Sequence, residues 1–393
     1  MLQVRPIVNA TKSIQIPTIR AISSASSRVT SASTPFPITS RCPSPTCTCA
    51  ETPAGLDIDH EKNLNGSIAP YAQHVVISTG KSDWTSRIEV DGQGTPWGDF
   101  GRQLKAMLGR GGKYSDVRGY VPLLLRAGSR ERCLCHDRSL PNETDRWMKQ
   151  PFNNIMITNS SFAGMTTGAG VEALLLPSFE VMHIRKLDPT VAEKFVREHL
   201  LPETLHPMHS GLSDAHKTIL TRKPRSSTSE PVYNLARPTI LICSHNSRDT
   251  RCGIMGPLLQ SEFVRQLQRL EYMPSTEHTV ETSSQDIQME SGQPEPESFK
   301  VNVGLISHIG GHKWAGNVIV YIPPTWAEDG KPMTSKEQKS HPSPLAGCGI
   351  WYGRVEPKHV EGIIKKTILG GTVIKELFRG GIGPNSEVLR LPF

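Results

Sequence analysis

The sequence predicts an α/β protein with two folded domains, the second a small mixed sheet flanked by helices. Three observations carry this. Between residues 239 and 393, apolar runs of strand length alternate with two longer segments whose apolar residues recur at helical spacing. The same order recurs more faintly between 55 and 220. The stretches around these regions are polar and rich in Pro, Ser and Thr, too poor in apolar residues to bury a core. A chain of 393 residues that is 36% hydrophobic and 6% aromatic suits two modest domains better than one continuous core.

In the second domain, residues 239–243 (Thr-Ile-Leu-Ile-Cys) have the length and β-branched content of a buried strand. Gly256-Pro257 opens a helix, since proline is tolerated in a first turn, and Leu258, Leu259, Phe263, Val264, Leu267 and Leu270 give it an apolar face. Strands follow at 301–307, 317–321 and 349–353. Pro357 starts a helix with Val360, Ile363, Ile364 and Ile368 on one stripe, and Gly370-Gly371 ends it. The order β-α-β-β-β-α suits a thioredoxin-like domain. In the first half, 75–79, 155–158, 173–176 and 179–184 read as strands, with Pro177 separating the last two. Asp188-Pro189 begins a helix over 190–201, much as Glu356-Pro357 begins the last one. A diverged duplicate of the same thioredoxin-like kind is therefore expected at 55–220, followed by a linker at 221–238 and a second domain at 239–393. Within that domain, residues 271–297 hold seven acids and no Lys or Arg, and read as a disordered acidic insertion. A further polar loop is expected over 327–346.

No apolar run approaches the roughly 18 residues of a membrane span, which excludes an integral membrane segment. The +7 formal charge is mainly an N-terminal property: Arg5, Lys12, Arg20, Arg28 and Arg41 stand in the first fifty residues without any Asp or Glu, leaving +2 for the rest. No nucleic-acid surface is expected on that ground. Residues 1–41 are Arg-containing, acid-free and crowded with Ser and Thr, the composition of a disordered mitochondrial transit peptide, although Pro6 and Pro17 interrupt any amphipathic helix. A mitochondrial location follows, in the matrix or the intermembrane space.

The chemistry concentrates in two segments. One is Cys243-Ser-His-Asn-Ser-Arg-Asp-Thr-Arg-Cys252, where a strand ends and a helix begins; the other is Ser307-His308-Ile-Gly-Gly-His312, just after another strand. Thiolates and neutral imidazoles are the donors of a four-ligand metal site. Gly310 and Gly311 argue for a loop whose backbone approaches an anionic centre. Arg248 and Arg251 add positive charge near the thiols, and Asp249 can orient Arg248 or a ligand histidine. By ligand count, zinc and a Rieske-like two-iron cluster fit equally, while the short Cys arm of a zinc finger is absent.

These paired motifs, Cys-x8-Cys containing Arg-Asp-x-Arg-Cys-Gly and then His-x-Gly-Gly-His-Lys-x-Ala-Gly-Asn, resemble the fungal sucrase/ferredoxin-like proteins over roughly residues 55–393. The resemblance implies a C-terminal thioredoxin-like ferredoxin domain binding a 2Fe-2S cluster, with Cys243, Cys252, His308 and His312 as its ligands. It also implies a mitochondrial protein of electron transfer or thiol redox control, working with redox partner proteins. Direct thiol exchange by the cysteines is the second expectation, weakened by the absence of Cys-x-x-Cys, and a zinc-stabilised interaction module is the third. The first half offers no matching ligand set, so 239–393 is expected to hold the cluster by itself.

The remaining cysteines and histidines read as bystanders. Cys42, Cys47 and Cys49 sit in a Pro/Ser/Thr-rich tail as reducible thiols, and Cys133 and Cys135 with His136 are too close for a redox motif. Cys348 precedes a strand and is expected to be buried, His245 is a reserve ligand inside the cysteine loop, and His206 and His209 are expected at the surface. Residues 109–113 lack the spacing of a phosphate-binding loop, and no Gly-x-Ser-x-Gly elbow is present.

Overall fold

The computed structural model describes residues 36–109, 111–115, 155–164, 170–205, 209–227, 229–275, 300–333 and 341–392. In chain order the strands are β1 (Ile38–Thr39), β2 (Gln73–Ser78), β3 (Ile155–Ser160), β4 (Val171–Leu176), β5 (Glu180–Ile184), β6 (Val232–Asn234) and β7 (Thr239–Cys243). They continue as β8 (Met273–Ser275), β9 (Lys300–Ile306), β10 (Val318–Tyr321), β11 (Gly349–Tyr352), β12 (Val373–Ile374), β13 (Phe378–Ile382) and β14 (Val388–Leu389). The helices are α1 (Pro96–Leu108), α2 (Pro189–Phe195), α3 (Asp214–Leu220), α4 (Thr250–Arg269) and α5 (Pro357–Ile363). The chain is of mixed α/β class.

The same arrangement occurs twice. In the second half β7 runs parallel to β9 and antiparallel to β10, which pairs antiparallel with β11. In the first half β2 runs parallel to β3 and antiparallel to β4, which pairs antiparallel with β5. A helix, α1 or α4, follows the first strand of each half, and a proline-initiated helix, α2 or α5, follows the last. Asp188 caps α2 through Thr190 N and Val191 N, while Glu356 and His359 make a reciprocal box at the start of α5. Both helices then widen into a π turn, over Val196–Leu200 and Ile364–Leu369. The resemblance of Asp188-Pro189 to Glu356-Pro357 thus marks equivalent positions.

The halves join through a single registered pair, Ser160 with Ile306, because β8 occupies the start of the same edge of β9. The result is one twelve-stranded sheet. It is not flat. β10 and β2 stand four strands apart in its order, about 19 Å at ordinary strand spacing. Yet His74 Nδ1 of β2 lies 3.0 Å from the Tyr321 hydroxyl of β10, and that hydroxyl lies 2.7 Å from Tyr71. The sheet therefore folds over at the β3–β9 junction. Its inner face becomes a core shared by both halves, with Val76, Leu174 and Phe179 against Leu241, Ile319 and Trp351. Helices cover the outer faces: Phe100, Leu104 and Phe195 in the first half, Leu259, Phe263 and Ile364 in the second. Each fully buried apolar side chain contributes about 1.5–3 kcal/mol. His74, fully buried, has its pKa pushed down to about 3 by desolvation and is neutral at physiological pH.

Several boundaries differ from those expected. The helix placed at Gly256 begins at Thr250, because Asp249 caps it and Cys252 and Met255 pack inward; Pro257 lies inside it. Residues 36–41 are part of the fold and not the end of a leader: β1 pairs with β12, and Phe36 is buried edge-on against Phe378. The rest of the stretch expected to be a leader, residues 1–35, lies outside the described residues. The 221–238 linker contains β6, which extends the sheet beyond β5, since Val232 and Tyr233 suit a sheet edge. The start of the acidic insertion supplies β8; residues 276–299 lie outside the described set. The expected polar loop at 327–346 packs partly inward through Ala327 and Leu345.

Candidate metal centre

Parallel pairing of β7 and β9 puts their carboxyl ends at one edge of the sheet, the edge where open α/β sheets place ligands. Cys243 ends β7, and Cys252 lies in the first turn of α4. The helix comes this close because residue 256 is glycine: a Cβ there would sit 2.5 Å from that of Ser244. After β9, Gly310 and Gly311 take φ of +81° and +77°, turning the chain so that His312 follows His308 across a loop. Their rings are 5.4 Å apart and inclined by 34°.

The cysteines are buried, at 1% and 0% exposure, whereas His308 is half-buried and His312 exposed. The Cys252 thiol donates toward Cys243 and holds the Cys243 pKa well below the ordinary thiol range, assisted by the His308 ring against the opposing effect of burial. The partner pays the converse: its hydrogen bond to Cys243, burial and the Cys243 charge push Cys252 up. Nδ1 of His308 is buried without a hydrogen-bond partner. The four predicted residues thus meet at one edge as two pairs, buried sulfur below and imidazole toward solvent. Among the described residues, no three His, Cys, Asp or Glu side chains already converge as a single metal ion requires.

The first half closes over this edge. The His308 amide donates to His245 Nδ1 at 3.0 Å, which leaves the His245 proton on Nε2, facing the carbonyls of Trp84 and Thr85 at 3.0 and 2.9 Å. Ser247 donates to Asp83 at 2.9 Å. A cleft of about 220 Å³ opens beside His308, lined by Arg87, Glu89, Lys105 and Arg248 among others. His245, expected as a reserve ligand, is therefore spent on both nitrogens as a brace between the halves. His245→Ala is expected to cost about 1–3 kcal/mol by stranding these groups. Denaturant unfolding checks this; an unchanged midpoint would mean that His245 does not brace the halves.

Other expectations need correction. Asp249 pairs with Arg251 at 2.8 Å and caps α4 instead of orienting Arg248 or a histidine. Arg248 reaches Ser86 across the junction. Cys42, Cys47 and Cys49 are half-buried and not a loose tail: Gln266 donates to the Cys47 sulfur at 3.1 Å, and Glu361 holds Thr46 at 2.7 Å. Burial, then the charge of Glu376, raises the Cys42 pKa to about 12. His209 is buried, at 1% exposure, and Cys348 is buried as expected. Cys133, Cys135, His136 and His206 lie outside the described residues.

One residue escaped the sequence reading. Arg379, in β13, is 2% exposed and lies beneath the histidine loop. Its signal was a lone cation in the run Phe-Arg-Gly-Gly-Ile, where a strand offers nothing polar to solvent.

A buried thiol pair beside a histidine pair, at the carboxyl edge of a doubled α/β sheet, defines the class. The family model described as sucrase/ferredoxin-like matches residues 64–380, and the chain belongs to that family. Among its relatives is altered inheritance of mitochondria protein 32 of Debaryomyces hansenii, 28% identical over 86% of this chain and 93% of its own. The protein of that name from Clavispora lusitaniae is 29% identical over 60% of this chain and 67% of its own. Actin patches distal protein 1 of Saccharomyces cerevisiae is 31% identical over 34% of this chain and 30% of its own. No solved structure matches the chain.

Proposed function

We propose that this chain is a mitochondrial redox protein that carries a 2Fe-2S cluster on Cys243, Cys252, His308 and His312 and transfers single electrons. The observation that carries the reading is the division of the four donors into two pairs, a buried thiol pair and a histidine pair with an unpartnered Nδ1. A single zinc ion needs all four donors about 2.0–2.3 Å from one point. A two-iron cluster would instead be held by Cys243 and Cys252 as one pair and by His308 and His312 as the other. When bound, the cluster supplies reversible one-electron chemistry. The chain's residues hold it, keep water from the sulfur side and leave the imidazole side open. The repeated strand order, with each half led by a β-α-β unit, is what a thioredoxin-like fold would give, and supports that finer assignment. Relatives named for the inheritance of mitochondria, together with the acid-free leader, support the location.

Direct thiol exchange is the second reading, favoured by the Cys243–Cys252 contact and the depressed Cys243 pKa. Its difficulty is access, because exchange requires a partner thiolate to reach sulfur, and both residues are buried. The full chain purified without air is expected to hold about two irons and two acid-labile sulfides, with little zinc. Stoichiometric zinc without sulfide would overturn the proposal in favour of a structural metal. A colourless protein with a Cys243–Cys252 disulfide would favour exchange.

A further inference from the structure

We propose that the first half carries a binding site of its own, a cleft between β5, α2 and the π turn after α2, which takes a small uncharged phenol.

The cleft has a volume of about 280 Å³, close to the lower end of small-molecule pockets. Met182 and Ile184 of β5 and Val191 and Phe195 of α2 give it apolar walls. Its meaning comes from the other half, where a side chain of the chain itself occupies the equivalent place. Tyr352, on the outward face of β11, is fully buried there. Its hydroxyl lies 2.7 Å from Thr367 Oγ1 in the second π turn and accepts the Ile374 amide at 3.2 Å. The positions correspond by their distance from the two matching helix starts. Thr367 stands eleven residues after Glu356, and His199 eleven after Asp188. Tyr352 stands five residues before Pro357, and Ile184 five before Pro189. Isoleucine offers neither the ring nor the hydroxyl. The first half thus leaves open the room that its counterpart gives to a phenol side chain.

The group left on the wall has nothing to bind. His199 is 3% exposed, its ring stacks on Phe195 at 5.8 Å, and its Nδ1 is buried without a hydrogen-bond partner. Such an atom is costly to leave unsatisfied, and a ligand that meets it recovers the cost. Burial first, then the charge of Arg225, pushes the His199 pKa down to about 4 against the pull of Glu198, so the ring is neutral. A neutral imidazole nitrogen donates or accepts according to its tautomer, and a hydroxyl can meet either. Lys194 lines the cleft beside Glu198 and Glu230, so no single sign of charge invites an ion. Glu198 is moreover engaged, accepting from Ser229. An aromatic ring suits the apolar walls, and one hydroxyl suits His199.

The test uses the full chain and two probes of one shape, p-cresol and p-xylene, which differ by a hydroxyl against a methyl. Titration calorimetry is expected to show p-cresol binding at least about tenfold more tightly, the scale of one buried hydrogen bond. Equal affinities, or no binding of p-cresol, would overturn the proposal. His199→Leu keeps an apolar side chain and removes the nitrogen. It is expected to lower p-cresol affinity at least about tenfold and leave p-xylene unchanged. Unchanged p-cresol affinity there would overturn the role of His199 and with it the choice of ligand. Val191→Trp is the second variant, because its half-buried position on α2 lets the indole fill the cleft without entering the core. It should weaken p-cresol at least about tenfold, and undiminished binding would put the phenol elsewhere and overturn the site. None of these readouts depends on iron.

Discussion

Cys243→Ala and Cys252→Ala are each expected to abolish the cluster, with iron falling at least tenfold below about two per chain in anaerobic preparations. The size follows from what is removed. Losing an outer partner of a metal ligand already costs 10–100-fold in affinity, and a ligand thiolate contributes more. Alanine is nearly as small as cysteine, so the α4–β7 contact should survive, and circular dichroism should stay native. That combination, a folded colourless protein, distinguishes a lost ligand from a lost fold. Full iron retention in either variant would remove that sulfur from the ligand set.

The second large effect concerns the histidines. His308→Cys or His312→Cys replaces a neutral donor by a thiolate, which adds negative charge and stabilises the oxidised state. Centres with two imidazoles sit at about −150 to +300 mV, against about −400 mV for all-cysteine ferredoxins. One replacement should therefore lower the midpoint by on the order of 100 mV or more. Potentiometric titration followed by visible absorption reads it directly. A midpoint unchanged in both variants, with the cluster assembled, would mean that the imidazoles do not touch iron. Of the two, His308 should matter more to assembly, because its Nδ1 is buried without a partner while His312 is exposed.

The strands of both halves were legible because short β-branched runs between turn residues have few alternatives, and Cys243 and His308 stand at strand ends that the runs themselves define. The start of α4 was not legible: Pro257 marks a first turn by propensity, but the Asp249 cap and the inward packing of Met255 outweigh it. Nor was the folding over of the sheet, which depends on His74, Tyr71 and Tyr321 meeting across 250 residues of chain. His245 was misread for a related reason. A histidine between two ligands looks like a third until its partners, Trp84 and Thr85, are brought from the other half. Arg379 was missed because a lone cation in a strand reads as a surface residue until its burial under the histidine loop is seen.

The folded-over sheet makes the halves inseparable in a practical sense. A protease cutting in the 221–231 stretch would release not two domains but two pieces with a bare greasy wall each, one of them showing Leu241, Ile306, Ile319, Tyr321, Trp351 and Ile382. Such pieces are aggregation substrates. Residues 239–393 expressed alone are therefore expected to be insoluble, because that inner wall would stand bare.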